Sequence, residues 1–341
     1  MSSTDPVAIP RIARVQRALG LAHADLLVAT DYATVQWLCG HSVSAGTVVF
    51  VDDDSSDAVV SEPGVDHLEA LRASAPYRNL GAWSVVAIET SAAPGWLLKL
   101  LAGHPLVDLR DDLAMLRAVK DSTELGLIMT AAKRASDAQR VFRSEIECGL
   151  RERELSDTIQ MRLAKEGNAV SAVVDLMFGD RCMLVGAAPT GRVLTAADTA
   201  IFDFAPVVED YWADSCSTVV VGRPSRDVLR LHGTIQRALE AGIALLRPGT
   251  RISDVDKSVR SIMGEAGYHY PHLTGHGVGL KQQEYPFVAS DSDYVLEADI
   301  VIALEPGAYF DEYGARLEHL IHVTEDGPRV LTTHSVELAA R

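Results

Sequence analysis

The chain has 341 residues, of which 48% are hydrophobic and 23% are charged, values typical of a globular protein and not of a disordered one. Its formal net charge of -16 disfavours nucleic acid and anionic membranes as partners and favours a solvated acidic surface. The four cysteines lack CxxC spacing, so the sequence predicts neither a disulfide framework nor a thiolate zinc site.

Short apolar strands alternate with helical segments between about residues 10 and 110. The predicted strands are LLVAT, TVVFV and SVVAIE, and the predicted helices are IARVQRALG, VDHLEALRAS and GWLLKLLAG. This alternation is typical of a small α/β domain. We place its boundary near residue 112, so the expected domains are residues 1–112 and 113–341.

Helices and strands are mixed differently in the second domain. A long helical pattern runs through residue 147, a second surrounds ERELSDTIQMRLAKEG, and a third runs from Asp227 to Leu246. The strand-like runs between and after them are AIFDFAPVV, YWADSCSTVVVG, DIVIALEP and RLEHLIHVTEDG. This order predicts an α+β domain.

Two aspartates bound the stretch DFAPVVEDYWAD. An antiparallel hairpin that turns near Val208 and Glu209 would place Asp203 directly opposite Asp214. Two ionised carboxylates in an apolar sheet would repel one another unless a divalent cation lay between them. Protonation of one carboxyl group, or an outward-facing Asp214, would also remove the conflict, so this pair alone does not decide between a metal site and a packed strand.

Three more residues favour the metal site. His276 lies between glycines in LTGHGVGL, although a single histidine there is more often structural. Glu305 ends the apolar run DIVIALEPG, and strand alternation puts Glu318 on one face of RLEHLIHV. Buried glutamates need partners. Four carboxylates and one imidazole form a mostly hard ligand set for two divalent ions, which suits Mn, Co or Fe at least as well as Zn.

The motifs DFAPVVEDYWAD, GHGVGL, ALEPGAY and ARLEHLIHVTEDG, in this order, resemble those of the pita-bread metallopeptidase family, which includes prolidase, aminopeptidase P, methionine aminopeptidase and creatinase. The resemblance implies a C-terminal pita-bread (creatinase/aminopeptidase-like) domain, preceded by a smaller α/β creatinase-type N-terminal domain similar in LLVATDYATVQWLCG. It also implies that Asp203 binds one metal ion and that His276 and Glu305 bind the other. Asp214 and Glu318 would then bridge the ions, and Glu305 would also move protons.

The chain departs from the family pattern at two histidine positions. Gly186 and Gln283 stand where prolidase-like enzymes usually have histidines that contact the substrate. Gln283 can donate a hydrogen bond to an oxyanion but cannot carry a proton, and Gly186 is expected to leave open space. His272 and His322 could substitute in part, although a packing or supporting role is favoured for both.

The leading hypothesis is a dinuclear-metal-dependent hydrolase resembling Xaa-Pro dipeptidases and aminopeptidases. A metal-bridged hydroxide would attack a small amide or peptide-like carbonyl, with Glu305, Gln283 and His272 as candidate catalytic residues. One alternative is a non-peptidase enzyme on the same metal scaffold, such as a creatinase-like amidinohydrolase or a lyase. A less favoured alternative is an inactive binding module, which typically loses metal ligands.

The expected partners follow from composition and resemblance. We expect a small-molecule or short-peptide substrate and neither nucleic acid nor a membrane. The sequence shows no signal-peptide core and no span long enough to cross a bilayer, so we expect a cytoplasmic protein. The resemblance alone implies a homodimer.

Overall fold

The computed structural model places most of the chain, namely residues 8–44, 46–52, 56–59, 78, 81, 84–167 and 171–340. The chain divides into two compact units, Met1–Arg117 and Ala118–Arg341. Both units combine helices with sheets, and the chain has the predicted α+β fold. The domain boundary near residue 112 stays a prediction.

In its described residues, the first unit is built on one five-stranded sheet. Its strands are β1 (Leu26–Ala29), β2 (Val48–Asp52), β3 (Ser56–Val59), β4 (Val86–Ile88) and β5 (Leu106–Asp108). Its helices are α1 (Ala8–Leu21), α2 (Tyr32–Cys39), α3 (Gly95–Leu100) and α4 (Arg110–Ala118), whose last residue belongs to the second unit. The strand order is β3-β2-β1-β4-β5, in which β1 runs antiparallel to β2 and parallel to β4.

The apolar runs of this unit form its core, as their composition predicts. Val28 and Ile88 are fully buried in neighbouring strands and pack with Leu97 of α3. The three predicted strands correspond to β1, β2 and β4, and two of the three predicted helices correspond to α1 and α3. The third predicted helix, VDHLEALRAS, lies outside the described residues.

Four long helices belong to the second unit. They are α5 (Ser122–Glu145), α6 (Glu152–Lys165), α7 (Arg226–Leu245) and α8 (Ile252–Glu265). Helix α5 begins at a capping box, in which the Asp121 side chain accepts from the backbone of Glu124 and the Glu124 side chain accepts from the backbone of Asp121. Helices α5, α6 and α7 were predicted and α8 was missed, although Val255, Val259 and Met263 are buried at helical spacing.

Two sheets and a short ribbon complete this unit. The first sheet contains β6 (Ser171–Phe178), β7 (Thr199–Val208), β8 (Tyr211–Trp212) and β9 (Cys216–Val220), with β7 in the middle. The second has the order β11-β10-β12-β15-β16, made of β10 (Gly275–Gly277), β11 (Glu284–Val288), β12 (Ile300–Leu304), β15 (His319–Thr324) and β16 (Gly327–Val330). The ribbon pairs β13 (Gly307–Tyr309) with β14 (Gly314–Arg316).

Each sheet packs against a pair of helices. Phe142 of α5 and Leu155 of α6 share one apolar core with Phe202 of β7. Helices α7 and α8 pack in the same way on the second sheet, where Ile302 of β12 is fully buried. This arrangement leaves the opposite faces of the two sheets to carry polar side chains.

The predicted hairpin forms with a different register. Cys216, not Asp214, lies opposite Asp203, because the turn consists of Glu209 and Asp210 and lies one position later than expected. Both turn residues have positive φ, 46° and 66°, as a two-residue type I′ turn requires. The register therefore differs by two positions, which leaves the side chains on the predicted faces because strand side chains alternate with a period of two.

Candidate metal centre

Five elements of the second unit bring the predicted ligands together. Asp203 lies within β7, and Asp214 lies in the short segment between β8 and β9. His276 is the middle residue of β10, and Glu305 directly follows β12. Glu318 lies between β14 and β15, where its backbone N–H donates to the carbonyl of Cys216 at 2.9 Å. The site thus depends on strands from both sheets and the ribbon.

The glycines around His276 are required by close strand approach. A Cβ atom at Gly275 would lie 2.2 Å from the carbonyl oxygen of Ala303 on β12. A Cβ atom at Gly277 would lie 2.6 Å from the carbonyl oxygen of Tyr285. Glycine at both positions lets β10 fit between its neighbours with the imidazole held inside the unit.

Asp214, His276 and Glu318 form a compact, buried set of ligand atoms. Each offers an oxygen or nitrogen atom, and these atoms all lie within 4.8 Å of one another. Nε2 of His276 also lies 3.4 Å from Oε1 of Glu305. Asp203 lies near enough to Asp214 that its repulsion adds to the effect of burial, which raises the pKa of Asp214. The structure therefore brings all five predicted residues into one cluster, while their assignment as ligands stays a prediction.

The cluster has more negative charge than its surroundings can neutralise. Burial raises the pKa of Asp214 and of Glu318 well above the usual carboxyl range, and the neighbouring carboxylates raise both further. Burial also raises the pKa of Glu305 to about 7, an effect that Arg316 opposes and Asp203 reinforces. A divalent cation would remove both the repulsion and part of the burial cost.

Arg316 is the cation nearest to these carboxylates. Its guanidinium forms an ion pair with Oδ2 of Asp203, and its Nε lies 3.9 Å from Oε2 of Glu305. The side chain is buried, and it comes from β14, two residues before Glu318. Because one cation faces four carboxylates, Arg316 neutralises only part of the cluster.

The residues present fit divalent metal ions. Neither carboxylate oxygen of Glu318 has a hydrogen-bond partner among the described residues, although both oxygens are buried. Nδ1 of His276 lies 3.0 Å from the carbonyl of Gly277, which assigns the proton to Nδ1 and leaves the Nε2 lone pair for a ligand bond. Burial lowers the pKa of His276, which keeps the imidazole neutral. Orphaned carboxylate oxygens beside a neutral imidazole are the donor set that a metal ion requires.

A cavity of about 580 Å³ opens above the cluster. Four of the five predicted ligands line it, and Glu318 lies buried beneath. The candidate catalytic residues His272 and Gln283 also line it. Cavities of this size hold small ligands.

His272 is held in one orientation inside the cavity wall. Its Nδ1 lies 2.7 Å from the carbonyl of Leu273, and its Nε2 lies 2.8 Å from the hydroxyl of Tyr309. Burial lowers the pKa of His272 to about 4, with Arg316 and Arg260 adding to the effect. The imidazole is therefore neutral at pH 7, with Nε2 accepting from Tyr309, and it does not carry a positive charge to the substrate.

The space expected at Gly186 is occupied. The carboxylate of Asp175 lies there, with Oδ2 2.8 Å from the position that a Cβ atom of residue 186 would take. Asp175 belongs to β6 and lies directly opposite Asp203 in the sheet. Burial and repulsion from Asp203 raise the pKa of Asp175, and attraction to Arg316 opposes the rise. The expectation of open space was wrong because the β6–β7 register, which the sequence does not reveal, points a carboxylate into it.

Arg316, Tyr309 and Gln282 also belong to the site, although the sequence did not predict them. Gln282 donates from Nε2 to Oδ2 of Asp214 at 3.2 Å, so it contacts the cluster directly. Strand alternation before Glu318 would have placed Arg316 on the same face, which is the one signal available in the sequence. His322, considered as a substitute histidine, does not line the cavity and instead lies 2.9 Å from Oδ1 of Asp299.

Sequence comparison supports the geometry. The profile of metallopeptidase family M24 matches residues 126–325. An uncharacterized peptidase of Staphylococcus epidermidis is 33% identical over 231 residues, which cover 67% of this chain and 66% of that protein. An uncharacterized peptidase of Staphylococcus aureus is 33% identical over 221 residues, covering 64% and 63% of the two chains. The chain thus spans somewhat less than two thirds of the length of these relatives.

Solved structures share the fold over nearly the whole chain. An Xaa-Pro dipeptidase from Bacillus anthracis superposes with a TM-score of 0.88 at 24% identity, covering 97% of this chain and 99% of that one. A dipeptidase from Mycobacterium ulcerans gives a TM-score of 0.86 at 26% identity, covering 98% and 97%. Aminopeptidase P of Escherichia coli gives 0.78 at 17% identity, covering 97% and 96%. The fold is the pita-bread fold of prolidase-like proteins.

Proposed function

The chain belongs to metallopeptidase family M24, a family of metal-dependent hydrolases, and on that premise we propose that it is a dinuclear-metal-dependent hydrolase acting on a small amide or peptide-like substrate. The observation that supports this most strongly is the buried set of Asp214, His276 and Glu318, of which Asp214 and His276 line the cavity. A buried Glu318 without a hydrogen-bond partner among the described residues is costly in any role other than ligand binding.

Five residues of this chain would hold the ions. Asp203 would contact one ion, His276 and Glu305 the other, and Asp214 and Glu318 would contact both. The ions would supply Lewis acidity to a substrate carbonyl and lower the pKa of water in the cavity. Mn, Co, Fe and Zn all match this ligand set, and the first three suit its hard carboxylates at least as well as Zn does.

Proton transfer is the proposed task of Glu305. Its carboxyl group lines the cavity among the other proposed ligands, where it can exchange a proton with water or substrate. Oε1 lies beside Nε2 of His276, and Oε2 faces Nε of Arg316. The Arg316 guanidinium would hold Glu305 and Asp203 in place during this transfer.

Substrate orientation is the proposed task of Gln283 and His272. Gln283 is exposed at the cavity wall, and its amide can donate a hydrogen bond to a developing oxyanion. His272 is neutral and held by Tyr309, so it presents a fixed wall and a dipole but no charge. Gln283 would stabilise an oxyanion less than a histidinium does, because it carries no positive charge.

A non-peptidase activity on the same scaffold is the second candidate. It is favoured by one observation, namely that a carboxylate from Asp175 fills the space beside Gly186 where a histidine is usual in prolidase-like enzymes. An inactive binding module is disfavoured because all five ligand positions are filled with residues that bind metals.

We also propose a small-molecule or short-peptide substrate, a homodimer and a cytoplasmic location. No helix among the described residues is long and apolar enough to cross a membrane.

The test is a turnover screen on the metal-loaded protein across Xaa-Pro dipeptides, small amides and non-peptide substrates. We expect hydrolysis of at least one amide-type substrate, with kcat/KM for simple Xaa-Pro dipeptides well below that of an ordinary prolidase. Exhaustive chelation should abolish turnover, and adding metal back should restore it. Full activity in protein shown to contain no metal would refute the proposal.

A further inference from the structure

Asp175 and Gly186 share one space in the cavity. Oδ2 of Asp175 lies 2.8 Å from where a Cβ atom would stand at residue 186, which is closer than real Cβ contacts. The carboxylate can therefore occupy its position only because residue 186 is glycine. Prolidase-like enzymes usually have a histidine at the position of Gly186. In this chain, a carboxylate from β6 occupies the space beside that position instead.

The cations of the cavity are already committed to other partners. Arg316 is paired with Asp203. Arg260 donates from Nε to Oδ1 of Asp256 at 2.9 Å and from Nη2 to the carbonyl of His272 at 2.7 Å. His272 is neutral, as its lowered pKa requires. None of these groups lies within hydrogen-bond distance of Asp175.

Asp175 is therefore a carboxyl group without a close partner at the cavity wall, and Arg316 attracts it only at longer range. Across the described residues, its carboxylate accepts no hydrogen bond and forms no ion pair within 4.0 Å, although the side chain is partly buried. The other carboxylates that line the cavity, Asp203, Asp214 and Glu305, all contact Arg316, His276 or Gln282. A partly buried carboxylate without a donor gains most from a charged hydrogen-bond donor that enters the cavity.

We propose that Asp175 is a specificity-determining residue that binds a positively charged side chain of the substrate, an ammonium or a guanidinium. This inference rests on the proposed function only in taking this cavity as the substrate site. A histidine at residue 186 would lack this preference, because an imidazole cannot neutralise a substrate cation. The exchange of an imidazole for a carboxylate thus selects substrates by charge.

Binding of amino acids that contain no peptide bond tests this selection without turnover. L-Arginine and L-citrulline have nearly the same shape and differ in the charge of the side chain, so the ratio of their Kd values isolates the charge. We expect wild-type metal-loaded protein to bind arginine at least about tenfold more tightly than citrulline, as a charge-assisted hydrogen bond implies, in isothermal titration calorimetry. In Asp175→Asn the two ligands should bind with equal affinity.

A matched control separates local charge from net charge. Asp157 is exposed on α6 and does not line the cavity, and Asp157→Asn changes the net charge by the same amount. This control should keep the full preference for arginine. A wild-type protein without the preference, a protein that binds neither amino acid, or an Asp175→Asn variant that keeps the preference would each overturn the inference.

Gly186→Ala provides a second, geometric test that leaves the carboxylate in place. The added methyl group must displace Oδ2 of Asp175, so the preference for arginine should fall severalfold. An unchanged preference in this variant would show that Asp175 and the side chain of residue 186 do not compete for the same space. Metal content and amide hydrolysis, measured on the same samples, test the proposed function separately. A protein that binds metal and hydrolyses amides but shows no preference for arginine would contradict only the role of Asp175.

Discussion

The raised pKa of the buried Glu305 makes the folding stability of the protein depend on pH. Its pKa rises from 4.5 to about 7, first because the side chain is buried and then because Asp203 lies near. The folded metal-free protein therefore holds a proton on Glu305 that the unfolded chain releases. Stability from this group is present below about pH 4.5 and is lost as pH rises toward about 7, because the ionised form is disfavoured only in the folded state.

We therefore expect Glu305→Gln to stabilise the metal-free protein in a pH-dependent way. The gain in unfolding free energy over wild type should be small near pH 5 and should grow to about 3 kcal/mol at pH 8, since the amide has no ionised form to bury. Taking the difference between variant and wild type cancels the effect of buried histidines such as His272. Urea unfolding of chelated protein at each pH measures this difference.

Glu312→Gln serves as the control for this experiment, because Glu312 is exposed between β13 and β14. It should leave stability nearly unchanged across the same pH range. A gain for Glu305→Gln that stays constant with pH, or that shrinks as pH rises, would show that Glu305 is not a carboxyl group with a raised pKa.

At the scale of single elements, the hairpin of β7, β8 and β9 sets the register on which the site depends. Glu209 and Asp210 both adopt a positive φ, which residues other than glycine rarely do without strain. The turn places Cys216 opposite Asp203, so Asp214 lies two residues nearer the turn than the partner of Asp203. Sequence alternation was sufficient to find the face but not the register, because a shift of two residues preserves the alternation.

We expect Glu209→Gly to stabilise the protein by about 0.5–1 kcal/mol. Removing the Cβ atom relieves the left-handed conformation, and this relief exceeds the added entropy of glycine in the unfolded chain. Asp291→Gly, at an exposed turn position without positive φ, should be neutral or destabilising. Thermal unfolding compares the two variants, and a destabilised Glu209→Gly would show that the turn is not strained.

Across the whole molecule, the site residues that the sequence predicts are those whose charge conflicts with apolar neighbours in the chain. Asp203, Glu305 and Glu318 each interrupt an apolar run, and such a conflict can be seen without a structure. Asp175 could not be found in this way, because its role depends on pairing with β7 and on the missing side chain at Gly186. Contacts between residues distant in sequence require the register of the sheets, which composition does not provide.

The metal centre is the central claim, and the number of metal ions per chain tests it most directly. After loading with Mn²⁺ and removal of free metal by gel filtration, elemental analysis should find about two ions per wild-type chain, since paired ions share bridging carboxylates. Asp214→Asn should retain far less, because a neutral amide is a poor bridge and the remaining carboxylates repel one another. Asp157→Asn should match wild type. Wild-type protein that retains no metal, or an Asp214→Asn variant with full occupancy, would contradict the account.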